Sequence, residues 1–329
     1  MNSRTLFLAA WLAVCSVLGG AAATAVAEDA AQKEAVRQEA ARQVQQPLNN
    51  GPVWHEIRSG STQTTQATGR EAGVLIQAAG ETWRKLRNGP VTLIGGLLLI
   101  LVPIAIGLYY RWKGPLKLQG QPTGKLVKRF SSWERIIHWT TATTFVILAI
   151  TGILMLFGRY FLIPVIGHTG FSWFAVISKN IHNLVGPLFI FSVACLFVTF
   201  VRDNIWHSID WQWLRQAPKV LDGTAHVPSG RFNAAEKGWF WGGVALLGLV
   251  VGASGLVLDF PNFDQTRAAM QIANITHGVG ALLFIIASLG HIYMGTIGTE
   301  GAYKAMRTGY VDETWAKEHH ELWFNDVKS

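Results

Sequence analysis

Residues 272–297 read IANITHGVGALLFIIASLGHIYMGTI. The stretch holds no Lys, Arg, Asp or Glu and exceeds the ~20 residues a helix needs to cross a ~30 Å hydrocarbon core, so it predicts a membrane span. Inside it stand His277 and His291, and an ionisable group at membrane depth marks a functional site. Their separation of 14 residues corresponds to about 21 Å of helical rise and lies within roughly 40° of whole turns. Both imidazoles therefore face one side of a single helix, at two depths.

Four further blocks carry the same signature: 91–110 (VTLIGGLLLILVPIAIGLYY), 136–157, 181–201 and 238–258, each free of Lys, Arg, Asp and Glu. Trp112, Trp133, Trp139, Trp173, Trp206, Trp239 and Trp241 sit near block ends, as an interfacial aromatic belt requires. Over 329 residues the chain is 50% hydrophobic and only 15% charged, where a globular chain averages about 25%. A soluble enzyme is excluded as the whole of the molecule, and two cysteines exclude a disulfide scaffold. The net charge of +8 would suit a nucleic-acid partner, but its placement argues otherwise. Segment 111–135 concentrates Arg111, Lys113, Lys117, Lys125, Lys128, Arg129 and Arg135 against the single acid Glu134, a positive-inside loop.

Residues 1–27 read as a signal peptide: Arg4, an apolar run from Leu6 to Leu18, then Ala25-Val26-Ala27 before Glu28. Cleavage there leaves Cys195 as the one cysteine. Residues 28–90 read as a periplasmic arm and linker, helical over 28–46 and, over 47–72, a linker almost without core-forming residues. The extra span 91–110 and the basic loop 111–135 follow, then a four-helix core (136–297) and a tail (298–329). A cleaved signal puts residue 28 outside, so the first span delivers 111–135 to the cytoplasm. This agrees with the basic-residue bias and puts the mature N-terminus in the periplasm and the C-terminus in the cytoplasm. The fold class is all-α, a helical bundle in the bacterial inner membrane.

With no charged residue in the spans, the histidines stand out. His138 lies at the inner end of its span, level with His291; His182 lies at the outer end of the next, level with His277. Two histidines from facing helices at each of two depths suit two haems, each clamped from both faces. Zinc would need three or four ligands at one depth, and a proton relay would normally include carboxylates. Structural histidines in a haem-free anchor or transporter remain the alternative of another class. His55, His168, His207 and His226 fall in or beside loops, and His319 and His320 on the tail.

The chain resembles the gamma subunit of membrane-bound formate dehydrogenase, a dihaem cytochrome b. The matching stretches are E-R-I-I-H-W (134–139), K-N-I-H-N-L-V-G (179–186), R-F-N-A-A-E-K-G-W-F-W (231–241), T-H-G-V-G (276–280), L-G-H-I-Y-M-G (289–295) and V-D-E-T-W-A-K-E-H-H-E-L-W-F (311–324). They cover about residues 125–325. The resemblance implies two haem b groups, with His182 and His277 on the outer iron and His138 and His291 on the inner one. It implies a quinone pocket at Asn233, with Ala235 where the family can have Gly and the contact made through backbone, and Arg135 as a candidate propionate contact. The implied partners are an iron–sulfur beta subunit and a molybdenum or tungsten alpha subunit, with electrons delivered to quinone in a lipid membrane and no nucleic acid involved. The cytochrome b subunit of a nickel–iron hydrogenase or related respiratory reductase shares the histidine pattern.

Overall fold

The computed structural model describes residues 33–42, 45, 51–59, 63–64, 74–76, 78–221, 224–225, 227–263 and 265–328. The expected signal peptide and His226 lie outside the described residues. Helices are numbered α1 (33–42), α2 (Gly51–Ser59), α3 (Ala78–Leu86), α4 (Thr92–Lys113), α5 (Ser132–Phe161), α6 (Ile163–Phe200), α7 (Ser208–Leu221), α8 (Ala234–Asp259), α9 (Arg267–Gly295), α10 (Ala302–Thr308), α11 (Glu313–His319) and α12 (Glu321–Lys328). Among the described residues five helices are long and apolar enough to cross a membrane: Ala79–Lys113, α5, α6, α8 and α9. The protein is an all-α integral membrane bundle.

Two compact units divide the chain: Met1–Pro90 with Val257–Ile275, and Val91–Leu256 with Thr276–Ser329. In the first, the arm and linker carry secondary structure within their described residues. It includes α2 and a small antiparallel hairpin between β1 (Gln63–Thr64) and β2 (Val74–Ile76). The Trp83 indole N–H donates to Asn274 Oδ1 at 3.2 Å, and the Thr266 hydroxyl accepts from Ala269 N at 3.1 Å.

The second unit holds the bundle and its base. Helix α5 starts at a capping box: Ser131 Oγ accepts from Glu134 N, and Glu134 accepts from Ser131 N at 2.7 Å. Each bond satisfies a backbone donor that the first helical turn leaves open. Helix α6, with Pro in its first turn, extends over 38 residues and is kinked at Gly167. Much of the connection expected at 158–180 is therefore helical. Ile163, Val165, Ile166, Phe171, Phe174 and Val176 make it apolar, and its one break is Gly167 at φ 71, a left-handed conformation open to a residue without Cβ.

The tail is folded against the basic loop. Strand β4 (Tyr310–Asp312) pairs antiparallel with β3 (Leu126–Lys128), Val127 opposite Val311. The Asp312 carboxylate accepts from Thr123 N, Gly124 N and Thr314 N at 3.1, 2.8 and 2.9 Å, and Glu318 accepts from Gln119 N and Gly120 N at 3.0 and 2.7 Å. Behind these bonds lies a buried cluster that includes Phe130, Phe200, Phe240, Val311, Trp315 and Phe324. Arg129 is buried within it, its guanidinium 5.0 Å from the Trp315 ring centre and 5.1 Å from that of Phe130. Burial pushes its pKa down to about 10, against the attraction of Glu236, so it stays charged at neutral pH.

Two further cations tie the helices at this end. Arg231 donates to Asp203 Oδ2 at 2.6 Å, Glu134 Oε1 at 2.7 Å and the Arg129 carbonyl at 2.8 Å. Lys237 Nζ donates to Asp210 Oδ2 at 2.7 Å and the Ile205 carbonyl at 3.0 Å, with the two side chains only 4% and 3% exposed. Removing one member of such a pair strands the other charge. Lys237→Met should therefore cost about 3–5 kcal/mol, read as a lower unfolding temperature in detergent. The double variant Lys237→Met, Asp210→Asn should recover most of that loss, and a double variant as unstable as the single one would refute the pairing argument.

Candidate functional site

The four intramembrane histidines meet as two pairs. His182 and His277 have ring centres 6.0 Å apart with planes at 76°; His138 and His291 are 6.2 Å apart at 53°. Among the described residues no hydrogen bond joins the rings of either pair. An imidazole nitrogen sits about 2 Å from a bound metal, and each ring centre about 1 Å further out. Two imidazoles on opposite faces of one iron thus need centres about 6 Å apart, the separation observed in both pairs. Among the described residues no three His, Cys, Asp or Glu side chains gather into a metal-holding cluster. Two imidazoles per site is the donor set of an axially ligated haem rather than of zinc.

Local chemistry fixes which nitrogen of the outer pair is free. With the Thr151 hydroxyl proton on the Ile147 carbonyl at 2.8 Å, Oγ1 accepts from His182 Nδ1, also at 2.8 Å. His277 Nδ1 lies 3.0 Å from the Val251 carbonyl, which accepts and never donates, and 3.4 Å from Ser254 Oγ. Both Nδ1 atoms therefore carry the proton, and both Nε2 atoms are left unprotonated, as a metal ligand must be. Close approach is built in at His277: a Cβ on Gly255 would lie 3.1 Å from its Cε1.

The inner pair is oriented differently. His138 Nδ1 is buried without a hydrogen-bond partner, and its ring meets Trp139 edge-on at 5.3 Å; Trp139 is itself anchored by its indole N–H to the Met306 carbonyl at 3.0 Å. His291 lies flat against Trp239, with centres 4.9 Å apart and planes at 13°.

His291 also lines a cavity of about 1010 Å³ at the base of the bundle, shared with Asn233, Ala235, Glu236, Trp239 and Met294. This is at the upper end of the range for small-molecule pockets. Asn233 caps α8: its Oδ1 accepts from Ala235 N and Glu236 N at 3.0 Å each, while Glu236 accepts from Asn233 N at 2.8 Å. Since backbone N–H groups only donate, the oxygen must face them, which leaves the amide NH₂ as the group Asn233 can offer the cavity. The Ala235 N–H is committed to this cap. Arg135, one turn before His138, donates from Nη1 to the Arg307 carbonyl at 3.0 Å, and its buried Nε has no hydrogen-bond partner.

Sequence reasoning picked out the four histidines, Asn233, Ala235 and Arg135. It missed Thr151, Ser254 and Gly255, which hold or admit the imidazoles, and it read Trp239 as an interfacial belt residue. The signal for Thr151 was present but faint: a hydroxyl residue in an apolar span on the helix facing a histidine.

Spanning helices with paired intramembrane histidines define an integral membrane cytochrome b. Residues 129–309 match the family described as prokaryotic cytochrome b561, and the chain belongs to that family, which makes it a haem b protein. It is 27% identical over 205 residues to the formate dehydrogenase cytochrome b556(fdo) subunit of Escherichia coli K12, covering 61% of this chain and 93% of that protein. It is also 27% identical over 209 residues to the nitrate-inducible formate dehydrogenase cytochrome b556(Fdn) subunit of the same strain, covering 62% and 93%. The formate dehydrogenase cytochrome b556 subunit of Haemophilus influenzae is 27% identical over 198 residues, covering 58% and 79%.

On the tail side of the cavity, His320 is buried. Its Nδ1 donates to the Gly230 carbonyl at 2.9 Å, and its Nε2 lies 3.9 Å from Glu236 Oε2. Burial first, and the Arg129 charge second, hold the imidazole well below the usual histidine range. The folded state thus keeps His320 neutral while the unfolded chain protonates near pH 6.5. Its contribution to stability is complete above that pH and is lost as the pH falls below it. Unfolding followed from pH 7.5 to 5.5 should show a steeper loss in the wild type than in His320→Gln; equal slopes would refute the assignment.

Proposed function

We propose that this chain is the cytochrome b membrane subunit of a formate dehydrogenase, holding two b haems and serving membrane quinone. The observation that carries the reading is the pair of imidazole couples, each with ring centres about 6 Å apart. The relatives named above supply the choice of formate dehydrogenase.

His182 and His277 would hold the outer haem and His138 and His291 the inner one, with Arg135 near a propionate of the latter. When bound, the two haems supply one-electron carriers between the catalytic partners and quinone. What the chain's own residues do follows from their bonds. Thr151 and the Val251 carbonyl fix the outer imidazoles in the tautomer that presents Nε2. Asn233 faces the quinone in the cavity, its NH₂ directed at a quinone oxygen, with Ala235 beside it.

The partners in this reading are an iron–sulfur subunit and a molybdenum or tungsten subunit that oxidises formate on the periplasmic side, so no formate chemistry falls on this chain. The protein sits in the inner membrane with its mature N-terminus periplasmic and its C-terminus cytoplasmic. Electrons then cross inward to a quinone that draws protons from the cytoplasm, a charge movement that costs about 2.3 kcal/mol per elementary charge per 100 mV.

His277→Ala and His291→Ala should each remove one haem from the reduced-minus-oxidised spectrum and leave the other. Loss of both haems with either change, or of neither, would break the pairing. Asn233→Asp isolates the second role, because aspartate caps a helix as well as asparagine does while a carboxylate replaces the cavity-facing NH₂. Quinone-linked formate oxidation should fall while formate oxidation by an artificial dye persists; equal losses would make Asn233 a structural cap alone.

A further inference from the structure

Three of the four histidines have an evident means of holding their ring plane. His182 is fixed by Thr151 and His277 by Val251. His138 abuts Trp139, which is anchored in turn. Among the described residues His291 has no hydrogen bond at either ring nitrogen. What it has is the Trp239 indole, parallel to it within 13° at 4.9 Å.

The seat of that indole is built by two independent features. Helix α8 widens to π-helical geometry at Phe240–Leu247, directly after Trp239, a departure that costs regularity and recurs at functional sites. Within that stretch Gly243 lies beneath the indole: a Cβ there would sit 2.6 Å from both Cε3 and Cζ3 of Trp239, closer than two carbon atoms can pack. Phe284, itself buried, also packs against the indole at 5.8 Å. Trp239 also lines the 1010 Å³ cavity. One residue therefore touches the imidazole face and bounds the cavity.

We propose that Trp239 is a positioning residue that sets the ring plane of His291 and forms the wall shared by that ring and the cavity. It thereby couples what occupies the cavity to the electronic state of the iron that His291 holds. The inference rests on the reading of His291 as a haem ligand and goes beyond it by giving a non-ligand residue control of that ligand.

The test uses the full-length chain with its haems bound, in three variants: Trp239→Leu, Trp239→Phe and Gly243→Ala, the last displacing the indole without altering it. The low-spin electron paramagnetic resonance signal of a bis-imidazole haem responds to the relative planes of its two rings, a readout that a purely space-filling residue would not move. Trp239→Leu and Gly243→Ala should shift the signal that disappears in His291→Ala and leave in place the signal that disappears in His277→Ala. Trp239→Phe, which can still stack, should restore most of the wild-type line shape. Added decylubiquinone should move the same signal in the wild type and fail to move it in Trp239→Leu.

Unchanged signals in Gly243→Ala and Trp239→Leu, with both haems present, would overturn the proposal. Should Trp239→Leu bind no haem, Gly243→Ala against Trp239→Phe decides the matter alone. Retention of both haems in His291→Ala would instead overturn the ligand assignment, an outcome read before any Trp239 variant is examined.

Discussion

Inside a bilayer no water is at hand to satisfy a polar atom, so each one must find its partner within the protein. In this bundle that constraint is met at the outer imidazoles, His182 and His277, and leaves His138 Nδ1 of the inner pair unmet. A neutral imidazole has one donor and one acceptor nitrogen, and satisfying the donor locally determines what the acceptor is free to do. Thr151 passes its proton to the Ile147 carbonyl and receives one from His182, and the Val251 carbonyl receives one from His277. The backbone of one spanning helix thus sets the chemistry of a side chain on another. The ring separations near 6 Å then leave room between the acceptor nitrogens for an iron.

The same constraint, met with charges in place of dipoles, organises the basic end. Arg129, Arg231 and Lys237 are drawn in from the positively charged side, and each is matched within the protein: Arg129 by aromatic faces and Glu236, Arg231 by Asp203 and Glu134, Lys237 by Asp210. Of these pairs Lys237–Asp210 is enclosed on both sides; such a pair adds little net stability but is costly to break singly, so it acts on register more than on strength. Together the pairs hold the starts of α5 and α8 and the loop near Asp203 in one arrangement, and the folded tail closes over them through β3–β4.

Much of this was legible because the spans are so poor in polar residues. Against a background without Lys, Arg, Asp or Glu, His277 and His291 at a spacing of 14 residues could hardly be read otherwise than as two depths of one helix face, and their partners followed by level. What stayed hidden has a common cause. Thr151, Gly255 and the Val251 carbonyl act through atoms that any apolar span contains, and their roles exist only once a second helix faces them. Trp239 looks like six other tryptophans at span ends until the π-helical turn and Gly243 bring its ring against His291. The tail was opaque for another reason: its core is formed with Phe130 and Phe200, more than a hundred residues away, and no local periodicity reports such a pairing.

The stretch 231–237 shows how one segment can serve structure and site together. Asn233 sets where α8 begins, because its oxygen satisfies the first free N–H groups, and Lys237 pins the next turn through Asp210. Trp239 comes six residues after the cap, so its angle about the helix axis is inherited from the point where the helix was started and pinned. Its stacking on His291 therefore depends on bonds made by Asn233 and Lys237, earlier in the same helix. A cap that slipped by one residue would rotate the indole by about 100°, away from the ring and out of the cavity wall. The polar motif and the apolar site are in this sense a single mechanical unit, with the helix as the lever between them.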